Sequence, residues 1–262
     1  KHVSLMEQNV LHCFANNVLG TADLANEAIN NKIERFVLVS TDKAVNPTNF
    51  MGASKRCAEL LCRSFAQKSQ ITHFSIVRFG NVLGSSGSVV PLFKEQIASG
   101  GPVTVTHKSV KRYFMTIPEA AELVIQASSI GSSGDTLVLD MGEQIRIVDL
   151  AKKMIMLSGK MPVMGGNRQP KKTGEVEISF TGLRPGEKLE EELAYDGNLV
   201  ATEHPRIMLT QETEVIVEDV DNLLENLKTN IEASNVTALI STLNQVFVET
   251  STPQDAADFL II

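Results

Sequence analysis

From position 39 to position 55 the chain reads Val-Ser-Thr-Asp-Lys-Ala-Val-Asn-Pro-Thr-Asn-Phe-Met-Gly-Ala-Ser-Lys. A hydroxyl, a carboxylate and an ammonium stand side by side at Thr41, Asp42 and Lys43. Three such neighbours can supply a hydrogen-bond donor, a general acid and a general base. The same letters also spell an ordinary polar loop with an Asn-Pro turn. Met51 and Lys55 are four residues apart and so share a helix face. Two arginines, Arg112 and Arg184, carry planar forks that suit phosphate oxygens, or a surface carboxylate. The histidines (His2, His12, His73, His107 and His204) and the cysteines (Cys13, Cys57 and Cys62) show no metal-ligand spacing, so no metal site is expected.

Such groups work only if elements hold them. Phe36-Val37-Leu38-Val39 is a short apolar run that suits a strand buried in a parallel sheet, and it delivers Ser40 and Thr41 at its carboxyl end. Ligands bind there in open parallel sheets. A helix over Phe50–Gln67 and a strand over Phe74–Phe79 complete a βαβ unit. Upstream, Asn9–Asn31 has helical apolar spacing. Downstream come a polar Gly-Ser loop (Gly84–Ser88), an amphipathic stretch (Val89–Ala98), a strand at Val103–Thr106 and a helix from Pro118 to Ser128 capped by Thr116. A strand at Thr136–Leu139 and a helix at Ile147–Leu157 follow. Pro162–Gly174 reads as a loop, Val215–Val217 as a strand, and one or two helices run to Phe247. Thr250–Asp258 reads as a frayed tail.

With 262 residues, 43% apolar and 21% charged, the chain can bury a core without disulfide or metal staples. Its net charge of −7 argues against non-specific nucleic-acid binding. No apolar run reaches the ~20 residues of a membrane span. The sparse, odd cysteine set fits a reducing, cytoplasmic setting. One expected feature is missing: a Gly-rich turn after an early strand, the pyrophosphate site of dinucleotide-binding halves.

The motifs resemble the extended short-chain dehydrogenase/reductase superfamily. Within it they are similar to the nucleotide-sugar 4,6-dehydratases of capsule, O-antigen and flagellar glycan synthesis. Ser40-Thr41-Asp42-Lys43-Ala44-Val45-Asn46-Pro47 carries the likeness. So do Arg78-Phe79-Gly80-Asn81-Val82-Leu83-Gly84-Ser85, Gly87-Ser88-Val89-Val90-Pro91, Arg112-Tyr113-Phe114-Met115-Thr116, Leu139-Asp140-Met141-Gly142 and Gly182-Leu183-Arg184-Pro185-Gly186-Glu187-Lys188. Asn16-Asn17-Val18-Leu19-Gly20-Thr21 fits the middle of the family's domain, and the likeness runs to about Met208. It implies an α/β fold, the C-terminal part of a Rossmann-like doubly wound parallel sheet with a smaller α+β substrate-binding region. Residues 1–82 would be the second half of the Rossmann-like domain, its Gly-rich first half lying upstream. Residues 83–250 would be mainly substrate-binding, with strands returning to the sheet, and 251–262 a tail.

The resemblance also implies roles. NAD or NADP takes hydride from sugar C-4, water is lost across C-5 and C-6, and hydride returns at C-6. Lys43 would be the base at C-5, Asp42 the acid for the departing hydroxyl, and Thr41 a hydrogen-bond partner of the 4-oxygen. As a base, Lys43 must fall from a pKa of ~10.4 towards neutrality. Ser40, Lys55 and Phe79 would face the cofactor. Asn81, Ser88, Val89, Arg112, Arg184 and Glu187 would hold a UDP-sugar, with UDP-N-acetylglucosamine the implied substrate. Met51 departs from the superfamily, which has Tyr there. A thioether carries no proton, so the proton of the 4-hydroxyl must leave through Asp42 or water. A subgroup of these dehydratases, including large membrane-anchored ones, has the same Met, and the chain resembles a member of that subgroup more than a dead enzyme. The full enzyme would be a homo-oligomer, and some full-length relatives carry a membrane anchor upstream. A nucleotide-sugar epimerase of the same fold is the first rival, although epimerases keep the Tyr and need no Asp-Lys pair. A non-catalytic nucleotide-sugar-binding protein is the second.

Overall fold

The computed structural model describes residues 2–165, 174–212 and 216–248. In chain order these form α1 (Val3–Glu7), α2 (Val10–Phe14), a π-helical turn (Ala15–Leu19), α3 (Gly20–Asn30), β1 (Arg35–Val39), a 3-10 turn (Asp42–Ala44), α4 (Phe50–Lys68), β2 (His73–Arg78), β3 (Asn81–Val82) and α5 (Val89–Ala98). Then come β4 (Val103–Val105), β5 (Lys111–Arg112), β6 (Phe114–Met115), α6 (Ile117–Ile130), β7 (Thr136–Leu139), β8 (Ile145–Arg146) and α7 (Ile147–Leu157). The last are β9 (Met161–Met164), β10 (Glu175–Phe180), β11 (Leu199–Ala201), β12 (Ile207–Thr210), α8 (Val217–Glu232) and α9 (Val236–Val248). The chain divides into two compact units, Lys1–Phe79 with Glu122–Asp140 and Glu192–Ile262, and Gly80–Ala121 with Met141–Glu191.

The first unit holds a five-stranded sheet in the order β1-β2-β7-β12-β11. β1, β2 and β7 run parallel, Val39 opposite Val77 and Val77 opposite Leu137. β12 and β11 are antiparallel additions. β1 is an edge strand, and its Val39 is 47% exposed. Alternation along β2 sends Phe74 and Ile76 into a core shared with Phe14, Val18, Phe50, Cys57, Leu61, Leu227 and Leu243. Each such side chain contributes roughly 1.5–3 kcal/mol when fully buried. α4 starts cleanly because Asn49 Oδ1 accepts the Gly52 amide at 2.8 Å, a side-chain cap. All three cysteines are buried, and burial pushes the Cys57 and Cys62 thiols up to about 12, which keeps them protonated.

The second unit is built on a parallel three-stranded sheet, β4-β10-β9. Phe93, Ile97, Val103, Val105, Ile147, Ile155, Val176 and Ile178 form its core. Two short ladders, β3 with β6 and β5 with β8, complete it.

The helix expected over Asn9–Asn31 is present without interruption as α2, the π-helical turn at Ala15–Leu19 and α3. In that turn the Asn17 side-chain amide donates to Ser54 Oγ at 2.9 Å, which ties the helix to α4. Two expectations change. The stretch read as a loop from Pro162 begins inside β9, which pairs in parallel with β10. β9 is an edge strand, where proline is tolerated. Val217, read as strand, opens α8, with Glu218 and Asp219 in its first turn where the helix dipole favours acids. Val215, the tail and residues 166–173 of the expected loop lie outside the described residues.

Candidate active site

The first unit gathers Ser40, Thr41, Asp42, Lys43, Met51, Lys55 and Phe79. β1 ends at Val39 and the chain turns at once into the 3-10 turn, with Thr41 as its cap. The Thr41 hydroxyl donates to Asp42 Oδ1 at 2.8 Å, and Lys43 Nζ lies 3.0 Å from the same oxygen. Asp42 is fully buried, and its other oxygen, Oδ2, has no hydrogen-bond partner among the described residues. A buried carboxylate oxygen left without a donor is costly, and native proteins rarely keep one without a use for it. The Lys43 side chain is 15% exposed, so it is reachable from solvent.

The backbone fixes this turn closely. The Asp42 amide donates to the Phe79 carbonyl at 3.1 Å, and the Ala44 amide to Thr41 at 3.1 Å. α4 packs hard against it: a Cβ on Gly52 would overlap the carbonyl oxygen of Lys43, so only glycine fits there. Asn46 takes a left-handed conformation, φ 42°, which Asn tolerates. Lys55 Nζ donates to the Val39 carbonyl at 2.7 Å, at the strand end. Burial pulls the Lys55 pKa down, against the opposing pull of Glu59. Met51 is 4% exposed and packs in the core. Behind it, Ser54 Oγ donates to the Met51 carbonyl and accepts from Asn17 at 2.9 Å.

Next to this turn lies a cluster that the sequence reading missed. The Ser40 hydroxyl donates to Glu59 Oε1 at 2.6 Å. Arg78, fully buried in β2, clasps the same carboxylate with Nε at 3.0 Å and Nη2 at 2.7 Å. Arg56 Nη1 donates to Glu59 Oε2 at 3.1 Å and to Glu212 Oε2 at 2.6 Å, while Arg78 Nη2 reaches Glu212 Oε1 at 2.8 Å. Arg63 closes the set on Glu212 at 3.4 Å. Burial works to raise the Glu212 carboxyl, but Arg56 and Arg78 outweigh it and hold it at about 2. Glu59 is depressed by the same balance, burial opposed by Arg78 and Arg56. One signal was available: an arginine inside the apolar run Phe74-Ser75-Ile76-Val77-Arg78 must have a buried anionic partner.

The second unit gathers Asn81, Ser88, Val89, Arg112, Arg184 and Glu187. Arg112 directs its fork at the loop that follows Gly182. Nη1 donates to the carbonyls of Lys111 (2.6 Å) and Leu189 (3.2 Å), and Nη2 to that of Lys188 (2.9 Å). Glu187 Oε1 accepts from Thr106 at 2.8 Å and from Arg112 at 3.4 Å, and its Oε2 accepts the Arg184 amide at 3.2 Å. Arg112 and Glu187 thus shape this loop, while Arg184 is exposed on it. Ser88 caps α5 with its hydroxyl oxygen buried and without a hydrogen-bond partner, and Val89 opens the helix. The Asn81 amide donates to the Tyr113 carbonyl at 3.2 Å. Among the described residues, no group of three or more His, Cys, Asp and Glu could hold a metal ion, and no helix is long and apolar enough to cross a membrane.

Comparison with known proteins agrees with these motifs. The capsular polysaccharide biosynthesis protein CapD of Staphylococcus aureus is 48% identical over 231 residues, covering 88% of this chain and 37% of CapD. The probable polysaccharide biosynthesis protein EpsC of Bacillus subtilis (strain 168) is 54% identical over 193 residues, 74% of this chain and 30% of EpsC. The chain therefore spans about a third of the length of these two relatives. The X-ray structure of Pen from Bacillus thuringiensis superposes with a TM-score of 0.70 at 34% identity, over 87% of this chain and 73% of Pen. The polysaccharide biosynthesis protein family matches residues 1–212, and the chain belongs to that family, within the Rossmann-like extended short-chain dehydrogenases/reductases.

Proposed function

We propose that the chain carries the catalytic turn and the substrate-binding loop of a nucleotide-sugar 4,6-dehydratase of surface-polysaccharide synthesis, acting on UDP-N-acetylglucosamine. The observation that carries this reading is the Asp42–Lys43 pair, with one buried Asp42 oxygen lacking a partner and the Lys43 amine 3.0 Å from the other. An elimination needs an acid and a base side by side, and hydride transfer alone does not. When bound, NAD or NADP supplies a hydride acceptor at C-4 and a donor at C-6. Lys55 suits the ribose of such a cofactor: one of its three donors is anchored on Val39, which aims the amine at the strand end. Phe79 lines the same end of the sheet through its carbonyl contact with Asp42. Ser40 contributes differently, since its hydroxyl is committed to Glu59.

Asp42 takes the 4-hydroxyl proton as hydride leaves C-4 and then delivers it to the departing 6-hydroxyl, while Lys43, uncharged, takes the C-5 proton. Thr41 orients Asp42 and reaches the 4-oxygen. Met51 supplies shape and no proton. In the second unit Arg184, with Asn81 and the Ser88-Val89 backbone, binds the diphosphate. Arg112 and Glu187 act on it by holding the loop.

A UDP-glucose 4-epimerase of Rickettsia rickettsii, 36% identical over 74% of this chain and 53% of its own length, favours a second reading, epimerisation at C-4. The test incubates the longest natural polypeptide containing this chain with UDP-N-acetylglucosamine and NAD or NADP. A 4-keto-6-deoxy product, lighter by one water, is expected. A C-4 epimer with no loss of water would replace the dehydratase reading with the epimerase one.

A further inference from the structure

We propose that the buried Glu59–Arg78–Arg56–Glu212 cluster is a positioning device that grips the Thr41–Lys43 turn at both ends, through Ser40 on one side and Tyr195 on the other. The inference rests on the reading of that turn as the catalytic one.

A buried ionic cluster is a poor way to gain stability. Replacing such groups with well-packed apolar side chains is often neutral or stabilising. An apolar plug, however, cannot make directed bonds, and the directed bonds of this cluster end on the residues flanking the turn. Ahead of it, Ser40 Oγ donates to Glu59 Oε1 at 2.6 Å. Behind it, the guanidinium of Arg56 lies over the Tyr195 ring, 5.0 Å from its centroid, and the Tyr195 hydroxyl donates to the Ala44 carbonyl at 3.3 Å. Arg78 ties the two sides together: it clasps Glu59 and donates from Nη1 to the Leu193 carbonyl at 3.3 Å, two residues before Tyr195. The residue after Arg78 is Phe79, whose carbonyl holds the Asp42 amide at 3.1 Å.

The turn is therefore fixed at positions 40 and 44 by links that lead back to the same set of charges, and at 42 by the backbone next to Arg78. Asp42 and Lys43 themselves touch none of the cluster's charged side chains in the bonds described. The cluster acts through the backbone on either side of them. Misplacing a catalytic group by about 1 Å can cost ~10²-fold in rate, so small losses of grip have large effects on turnover.

The experiment uses Ser40→Ala, Tyr195→Phe and the double variant in the longest natural polypeptide containing this chain. Both substitutions delete one oxygen and leave the four charges in place. Two readouts are taken, and only the second needs activity. Hydrogen exchange by mass spectrometry is expected to rise about tenfold over 41–45 in the double variant, with residues 73–78 of β2 unchanged. Turnover is expected to fall ~10-fold in each single variant and ~100-fold in the double one, with the Michaelis constant and cofactor affinity unchanged. A fall in cofactor affinity in Ser40→Ala would instead place that hydroxyl on the cofactor and overturn the proposal. Unchanged exchange at 41–45 would overturn it too, as would faster exchange with full turnover. If the unsubstituted enzyme forms no 4-keto product, the dehydratase reading fails, and the exchange measurement still decides whether the cluster holds the turn.

Discussion

Two ionic arrangements lie a few residues apart in the first unit, and they are built on opposite principles. In the cluster, both oxygens of Glu59 are filled, by Ser40 and Arg78 on one side and by Arg78 and Arg56 on the other. In the turn, Asp42 Oδ1 takes both Thr41 and Lys43 while Oδ2 takes nothing. Burial is the same, since Glu59 and Asp42 are each fully enclosed. Saturation differs. A saturated buried charge is fixed in one state and one place, which suits a scaffold. An unsaturated one is held at a cost and keeps an oxygen open to a further donor.

The comparison breaks most sharply if the turn can be changed without loss. Lys43→Ala and Asp42→Asn are each expected to lower turnover by ~10²–10⁴-fold with little change in the Michaelis constant. Lys43→Ala is also expected to abolish exchange of the sugar 5-proton with deuterated water. Steady-state kinetics and deuterium incorporation check both. Retained exchange would move the base away from Lys43.

The cluster side predicts a loss of stability. Glu59→Ala removes one of two carboxylates and leaves Arg78 and Arg56 sharing Glu212 alone, and removing one partner of a buried ionic set costs about 3–5 kcal/mol. Urea unfolding at neutral pH measures it. A change under about 1 kcal/mol would mean the cluster is a passive filling.

Acid sharpens the same point. Glu212 sits at about 2 in the folded protein against 4.5 ordinarily, so its contribution is fully present above 4.5 and disappears as pH falls from there through 2. The amount at stake is on the order of 3 kcal/mol. The urea midpoint is expected to fall between pH 5 and pH 3, and to fall less steeply in Glu212→Gln, which has no proton to take up there.

The smallest effect belongs to Met51. Leu has nearly the same volume, and such swaps usually cost under about 1.5 kcal/mol. Met51→Leu is expected to keep most turnover. A dead but folded variant would show that the thioether itself matters.

Much of the turn was legible in sequence because its parts are local. Thr41, Asp42 and Lys43 are consecutive, and Met51 and Lys55 are one helical turn apart. The strands that deliver them, at Phe36–Val39 and Phe74–Phe79, are continuous apolar runs with little room for another reading. The cluster was not legible, because its partners meet across long stretches of chain: Arg56 and Glu212 are 156 residues apart. The two-residue strands β3, β5, β6 and β8 are too short to carry a period. Val215–Val217 looked like a strand through its β-branched residues, yet the acidic pair Glu218 and Asp219 marked a helix start. The roles given to Arg112 and Glu187 followed from their charge. Their spatial neighbours, the carbonyls of Lys188 and Leu189 and the hydroxyl of Thr106, were invisible until the loop was folded.

The open side of β1 has a consequence for how the chain behaves at high concentration. Arg35-Phe36-Val37-Leu38-Val39 offers one charge, no proline and a row of backbone groups facing away from β2, its one partner strand among the described residues. An extended segment of any origin can add to such a rim, and natural sheets usually blunt it with lysine, proline or a bulge. The net charge of −7 keeps copies of the chain apart at long range but leaves this rim open to pairing at close range.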